Sequence, residues 1–133
     1  MSRTLSEVVR FVVLHHTGVA DPHFDLMYEQ HPGSALTTWR IPEWPPEQYV
    51  PATPLAEHRR DYLDYEGPVS NNRGSVKRVA AGTCRIEALL RKKQPYHIEL
   101  WCEDDDPFVM LERYEDGWTA VPLWKARERY AAK

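Results

Sequence analysis

Turn-forming residues interrupt this chain so often that most of it has room only for short strands. In the second half the breaks fall at Gly74, Ala81-Gly82, Gln94-Pro95, Asp104 to Pro107 and Asp116-Gly117. Gly reaches the backbone conformations that tight turns need, and Pro and Asp favour turns for their own reasons. Between the breaks lie runs of strand composition at 75–80, 83–89, 96–102, 108–114 and 118–122. Three more precede them: Val8 to His15, His23 to Glu29, and Ala35 to Ile41. Alternation and β-branched or aromatic content mark these as half-buried strands. Many short strands at near-regular spacing predict a mainly β chain, one domain over 1–133, folded as a compact antiparallel β-barrel with short helices.

Pro42, Pro45, Pro46, Pro51 and Pro54 predict a loop over 42–54, because proline fixes φ and cannot donate to a ladder. Residues 55–64 are expected as a turn or short helix, and Leu123 to Ala132 as a terminal helix. The tryptophans at 39, 44, 101, 118 and 124 are expected to be mostly core or barrel-closing residues.

The 133 residues suffice for a core without disulfide staples. Cys84 and Cys102 have no metal-binding spacing and are expected to be reduced and at least partly buried. No apolar run approaches membrane-span length and the N-terminus has no signal-peptide core, so a cytoplasmic, membrane-free monomer is expected. The net charge of −3 argues against nonspecific coating of nucleic acid but leaves room for a local basic groove. Basic residues cluster at Arg59-Arg60, at Arg73 with Lys77-Arg78, and at Arg91-Lys92-Lys93, while Glu103 to Asp106 is acidic.

The chemistry concentrates in two places. If residues 8–16 and 23–29 pair as a hairpin, His16 and the tripeptide His23-Phe24-Asp25 converge. In a strand, side chains two apart share a face, so His23 and Asp25 point together and Phe24 points away. Two imidazoles and a carboxylate form a facial set for a divalent metal with open positions, although hydrogen-bonded or surface histidines fit the same pattern. Downstream, His58 and Tyr62 are four apart and share a face if that stretch is helical. Imidazole and phenol both donate to phosphate oxygens and both transfer protons. Packing of Tyr62 and Tyr65 beside a Gly67-Pro68 turn accounts for the same residues without chemistry.

Taken in order, FVVLHH, HFDLMYE, TTWRIP, EHRRDYLDYEG and GSVKRVAAGT resemble the 3′-phosphoesterase domain of bacterial ligase D, the multifunctional ligase of non-homologous end joining, over roughly residues 10–85. The resemblance implies a β-barrel whose metal-dependent site trims nucleic-acid 3′ ends. Such domains remove a terminal ribonucleoside by phosphodiester cleavage and then the remaining 3′-phosphate, typically with Mn²⁺ (Zn²⁺ or Co²⁺ being the other candidates). Carried over by position, His16, His23 and Asp25 are the metal ligands, and His58 and Tyr62 act on the phosphate, with His23 also counted in the catalytic set. Arg40, Arg59, Arg60 and Arg73 are the candidate substrate-binding cations. The implied partners are DNA or RNA–DNA 3′ ends, with ligase or polymerase repair proteins acting in trans.

The chain departs from the family at Met27, where the family has an Arg two residues after the metal-binding Asp. On the alternation argument Met27 shares the face of His23 and Asp25, so a guanidinium that grips phosphate is missing there. Residues 48–57 also lack the family's basic residue. An end-binding module without turnover is therefore the alternative. A non-haem iron triad of His23, Asp25 and the distant His97 is a third reading, although alternation makes His97 an ordinary strand residue.

Overall fold

In a computed structural model of the chain, residues 5–102 and 106–131 are described. Residues 103–105 of the acidic run, and Ala132, lie outside them. Strand β1 (Val9–Thr17) turns into β2 (His23–Glu29) as an antiparallel hairpin in which His16 stands opposite His23. Strands β3 (Leu36–Ile41) and β4 (Val50–His58) follow, then a 3-10 turn (Arg60–Leu63) and the two-residue β5 (Gly67–Pro68). The remaining strands are β6 (Ser75–Arg91), β7 (Gln94–Trp101), β8 (Pro107–Tyr114) and β9 (Gly117–Ala120), ahead of helix α1 (Leu123–Ala131). The order β1-β2-β3-β4-β9-β8-β7-β6 closes through a β1–β6 ladder, giving an eight-stranded antiparallel barrel with β5 as an extra strand on β6. Among the described residues no helix is long and apolar enough to cross a membrane.

Strand parity sorts the side chains into two cores. Phe11, Val13, Leu26, Tyr28, Trp39, Ile41, Ala52, Ile86, Leu100, Leu111 and Ala120 fill the lumen, which receives side chains from all eight barrel strands. The opposite parity of β1–β3 carries Val12, Leu14, Met27 and Leu36, and these are buried too. Leu63 of the 3-10 turn, Val76 of β6 and the flanking Tyr62 and Val69 cover them from outside. Burial of such a side chain contributes about 1.5–3 kcal/mol, so this outer patch is a real second core. It fixes the segment that carries His58, Tyr62 and Arg73 against the β1–β2 hairpin.

Several expectations need correction. Residues 50–58 form β4 although Pro51 and Pro54 fall inside it. The strand changes partner along its length: Pro51 pairs only with Thr119 of β9, and Pro54 only with Trp39 of β3. Each proline thus sits where one flank carries no ladder, the condition under which a missing N–H is tolerated. The turn or short helix expected over 55–64 is the end of β4 followed by a single 3-10 turn.

Ala81-Gly82 is not a turn, because β6 runs unbroken from Ser75 to Arg91. Its small residues make room for a neighbour: Gly82 stands opposite Phe11, and a Cβ there would lie 3.4 Å from the Phe11 ring. The strand does slip by one residue, since Val13 pairs with Ala80 and Leu14 with Arg78. That bulge at Val79 reverses the parity of β6, so Cys84 points into the lumen whereas Val76 joins the outer patch. The β6–β7 reversal uses Lys92 and Lys93, both at positive φ, rather than Gln94-Pro95. Among the tryptophans, Trp39 and Trp101 are buried and Trp44 and Trp118 pack against the lumen core, but Trp124 on α1 is exposed. Cys84 is buried, Cys102 is partly so, and both are free thiols.

Candidate metal centre

The β1–β2 hairpin delivers the three expected ligands to one place. His16 and His23 are cross-strand partners with ring centroids 4.9 Å apart, and Asp25 follows two residues on. His16 Nδ1 is 3.7 Å from Asp25 Oδ2, and His23 Nε2 is 3.3 Å from Asp25 Oδ1. One ligand atom from each lies within 4.8 Å of the others, the only such group of three His, Cys, Asp or Glu side chains among the described residues.

Outer partners set the tautomers. His23 Nδ1–H donates to the Asp21 carbonyl at 2.8 Å, and His16 Nε2–H donates to the Arg73 carbonyl at 2.5 Å. Each imidazole therefore turns its second nitrogen toward Asp25, the orientation that ligating histidines receive from hydrogen-bonded carbonyls. His23 Nε2 and Asp25 Oδ1 are buried and have no hydrogen-bond partner. Leaving such atoms unpaired costs about 1–3 kcal/mol apiece. A divalent cation on His16 Nδ1, His23 Nε2 and an Asp25 oxygen would satisfy both, so the donor set fits a metal.

His16 and Asp25 border a cavity of about 190 Å³, whose walls also include Arg40, His58, Tyr62 and Arg73, while His23 lines an adjoining cavity that shares Arg40. Arg40 is the cross-strand partner of Asp25 on β3. His58 ends β4 and Tyr62 belongs to the following 3-10 turn, yet their rings meet edge to face at 5.6 Å. Strand end and turn thus achieve the proximity that a helix was expected to give. His58 Nδ1–H donates to the Ala56 carbonyl at 2.9 Å, which leaves Nε2 as its second nitrogen. The Arg73 guanidinium donates to the Ser70 carbonyl and hydroxyl at 2.9 and 3.0 Å.

Met27 borders the cavity on the face of Asp25, as alternation requires, but it is only 1% exposed and belongs to the outer core. It forms an apolar floor, with Leu55 and Val69 as apolar walls. Leu55 and Val69 carry no sequence signal of a site role, nor do the Asp21 and Arg73 carbonyls, because backbone atoms and generic apolar side chains spell no motif.

The other candidate cations are elsewhere. Arg60 donates to the buried Glu29 and to the Ser34 carbonyl, so it ties the 3-10 turn to the end of β2 and is not on the cavity wall. Burial works to raise the Glu29 carboxyl, but hydrogen bonds from Arg60 and from the Gly33 and Arg10 amides outweigh it and hold its pKa below the ordinary value. Arg59 lines a neighbouring cavity with Tyr62 and Tyr65. His15 lies on the other face of β1 and stacks on Phe24 at 4.3 Å, so His16 is the β1 histidine that meets His23 and Asp25. His97 is bonded to Glu99 on β7 at 2.6 Å and does not join His23 and Asp25, so the alternative triad is not formed.

No protein-family model matches this chain, and no curated protein matches it.

Proposed function

We propose that this chain is a metal-dependent phosphoesterase acting on 3′ ends of nucleic acid, removing a 3′-ribonucleoside and a 3′-phosphate in DNA end repair. The observation that carries this is the cavity itself: His16 and Asp25, two of three side chains whose candidate ligand atoms lie within 4.8 Å of one another, share it with a His–Tyr pair and two arginines. The ordered resemblance of residues 10–85 to the ligase D domain selects the substrate class.

A bound divalent ion, with Mn²⁺ the first candidate, would supply Lewis acidity to a phosphoryl oxygen. The remaining work belongs to the chain. Arg40 and Arg73 hold the other phosphoryl oxygens by charge-assisted hydrogen bonds. His58, oriented through its Nδ1–H, presents Nε2 to protonate the leaving oxygen or stabilise charge on it. The Tyr62 phenol orients the phosphate, and Met27, Leu55 and Val69 keep bulk water from the floor. Arg40 takes over the phosphate grip that the family places at the position of Met27.

A labelled primer–template ending in a 3′-ribonucleoside or 3′-phosphate tests the proposal, with Mn²⁺, Zn²⁺, Co²⁺ or Ni²⁺ added. Shortening of the end with any of these metals, and none in EDTA, is expected. Binding of 3′-phosphorylated ends without cleavage in all four would instead identify an end-binding module.

A further inference from the structure

Beside the metal cavity lies a second one of about 290 Å³, and Tyr62 and Val69 form a wall common to both. Arg59, Asp61, Tyr65 and Ser70 line its other sides. We infer that this second cavity is a nucleoside subsite in which the base joined to the scissile phosphate stacks on Tyr65, an inference that rests on the phosphoesterase reading for its choice of ligand. A phosphate beside His58 and Tyr62 still carries its nucleoside, and the adjoining space is across the Tyr62 wall. Its volume is at the small end of small-molecule sites, near 300 Å³.

Tyr65 is built as a platform. Its ring stands edge-on to Tyr62, with centroids 6.1 Å apart and planes at 90°. Its hydroxyl donates to the Pro68 carbonyl, so the phenol is tethered while the residue is 39% exposed. The backbone is shaped around this arrangement. Gly67 lies at φ +132°, and a Cβ there would stand 3.3 Å from the Tyr65 hydroxyl. With its hydroxyl engaged, Tyr65 offers a ligand its ring face. A tethered ring loses little freedom on stacking, and every base has a face to stack, which is how nucleic-acid sites gain affinity without reading sequence.

The polar wall suits a neutral, many-valent ligand better than a second phosphate. The Arg59 guanidinium donates only and the Asp61 carboxylate accepts only, so their charges offset while both base edge and sugar find partners. Stacking on a tyrosine should strengthen binding about tenfold.

Fluorescence anisotropy on 5′-labelled oligonucleotides ending in a 3′-phosphate tests this, with EDTA present so that no turnover occurs. One probe carries a terminal base and the other a stable tetrahydrofuran abasic unit. Wild type should bind the base-bearing probe about tenfold more tightly. Tyr65→Ala should erase that preference, Tyr65→Phe should keep most of it, and Gly67→Ala should weaken it by displacing the ring. Equal binding of the two probes by wild type, or an intact preference in Tyr65→Ala, would overturn the inference. A comparison of 3′-phosphate with 3′-hydroxyl ends separates the two claims. Equal affinity there, with the base preference intact, counts against the phosphoesterase alone, and no binding of any probe overturns the subsite.

Discussion

Asp25 on β2 and Arg40 on β3 stand directly opposite each other in the antiparallel ladder, so a candidate metal ligand and a cation of the cavity share one face. This pairing answers the question that Met27 raises. In the proposed site the guanidinium comes from the neighbouring strand rather than from two residues along the same one.

Arg40→Met should therefore reduce phosphate release by about 100-fold, the usual effect of removing one preorganised donor. Arg40→Lys should recover part of the loss, since a point charge replaces a fork. Steady-state rates on a 3′-phosphorylated primer, with thermal melting to show that folding is unchanged, check this.

Metal should stabilise the fold. Binding at 100 times the dissociation constant adds about 2.7 kcal/mol, which for a chain of this size raises Tm by about 10 °C. Calorimetry with and without Mn²⁺ should show the rise in wild type. In Asp25→Asn or His23→Ala it should be absent.

Glu29 predicts a pH dependence. Its folded pKa is depressed, so its contribution is fully present above the unfolded carboxylate value and is lost as pH falls through the lower folded value. Resistance of wild type to denaturation should fall as pH drops below about 4.3, the unperturbed Glu value. Glu29→Gln should be less stable at pH 7 by about 1–3 kcal/mol, because Arg60 and two amides lose an anionic acceptor, and its slope in the acid range should be shallower.

The thiols should differ. Burial pushes the Cys84 thiol up to about 12, with lesser contributions from Cys102 and Glu29, so almost no thiolate exists at neutral pH. Titration with a disulfide reagent should label Cys102 in the native protein and Cys84 only on unfolding.

The convergence of His16, His23 and Asp25 was legible in the sequence because they are near neighbours on two strands joined by a short loop. Period-two alternation then sufficed to place His23 and Asp25 on one face and Phe24 on the other. The barrel class followed from turn spacing. The role of Arg60 was not legible, because Glu29 competes for it and only the tertiary fold brings the two together. Nor was β4, since Pro51 and Pro54 argue against a strand unless each is known to lack a ladder partner on one side. The bulge at Val79 was equally hidden, yet it turns Val76 outward to cover the floor of the cavity. Proximity of His58 and Tyr62 was foreseen for a helix and is achieved by a strand end and a 3-10 turn.

The central claim is that His16, His23 and Asp25 assemble a metal site that works with His58 on a 3′-phosphate. Its most direct test is inorganic phosphate released from a 3′-phosphorylated primer as Mn²⁺ is titrated into metal-free protein, beside Asp25→Asn and His58→Ala. Release should rise from zero to a plateau in wild type and fall by about 100-fold or more in each variant at the same Mn²⁺. A wild-type rate that ignores Mn²⁺, or variants that release phosphate as fast as wild type, would contradict it.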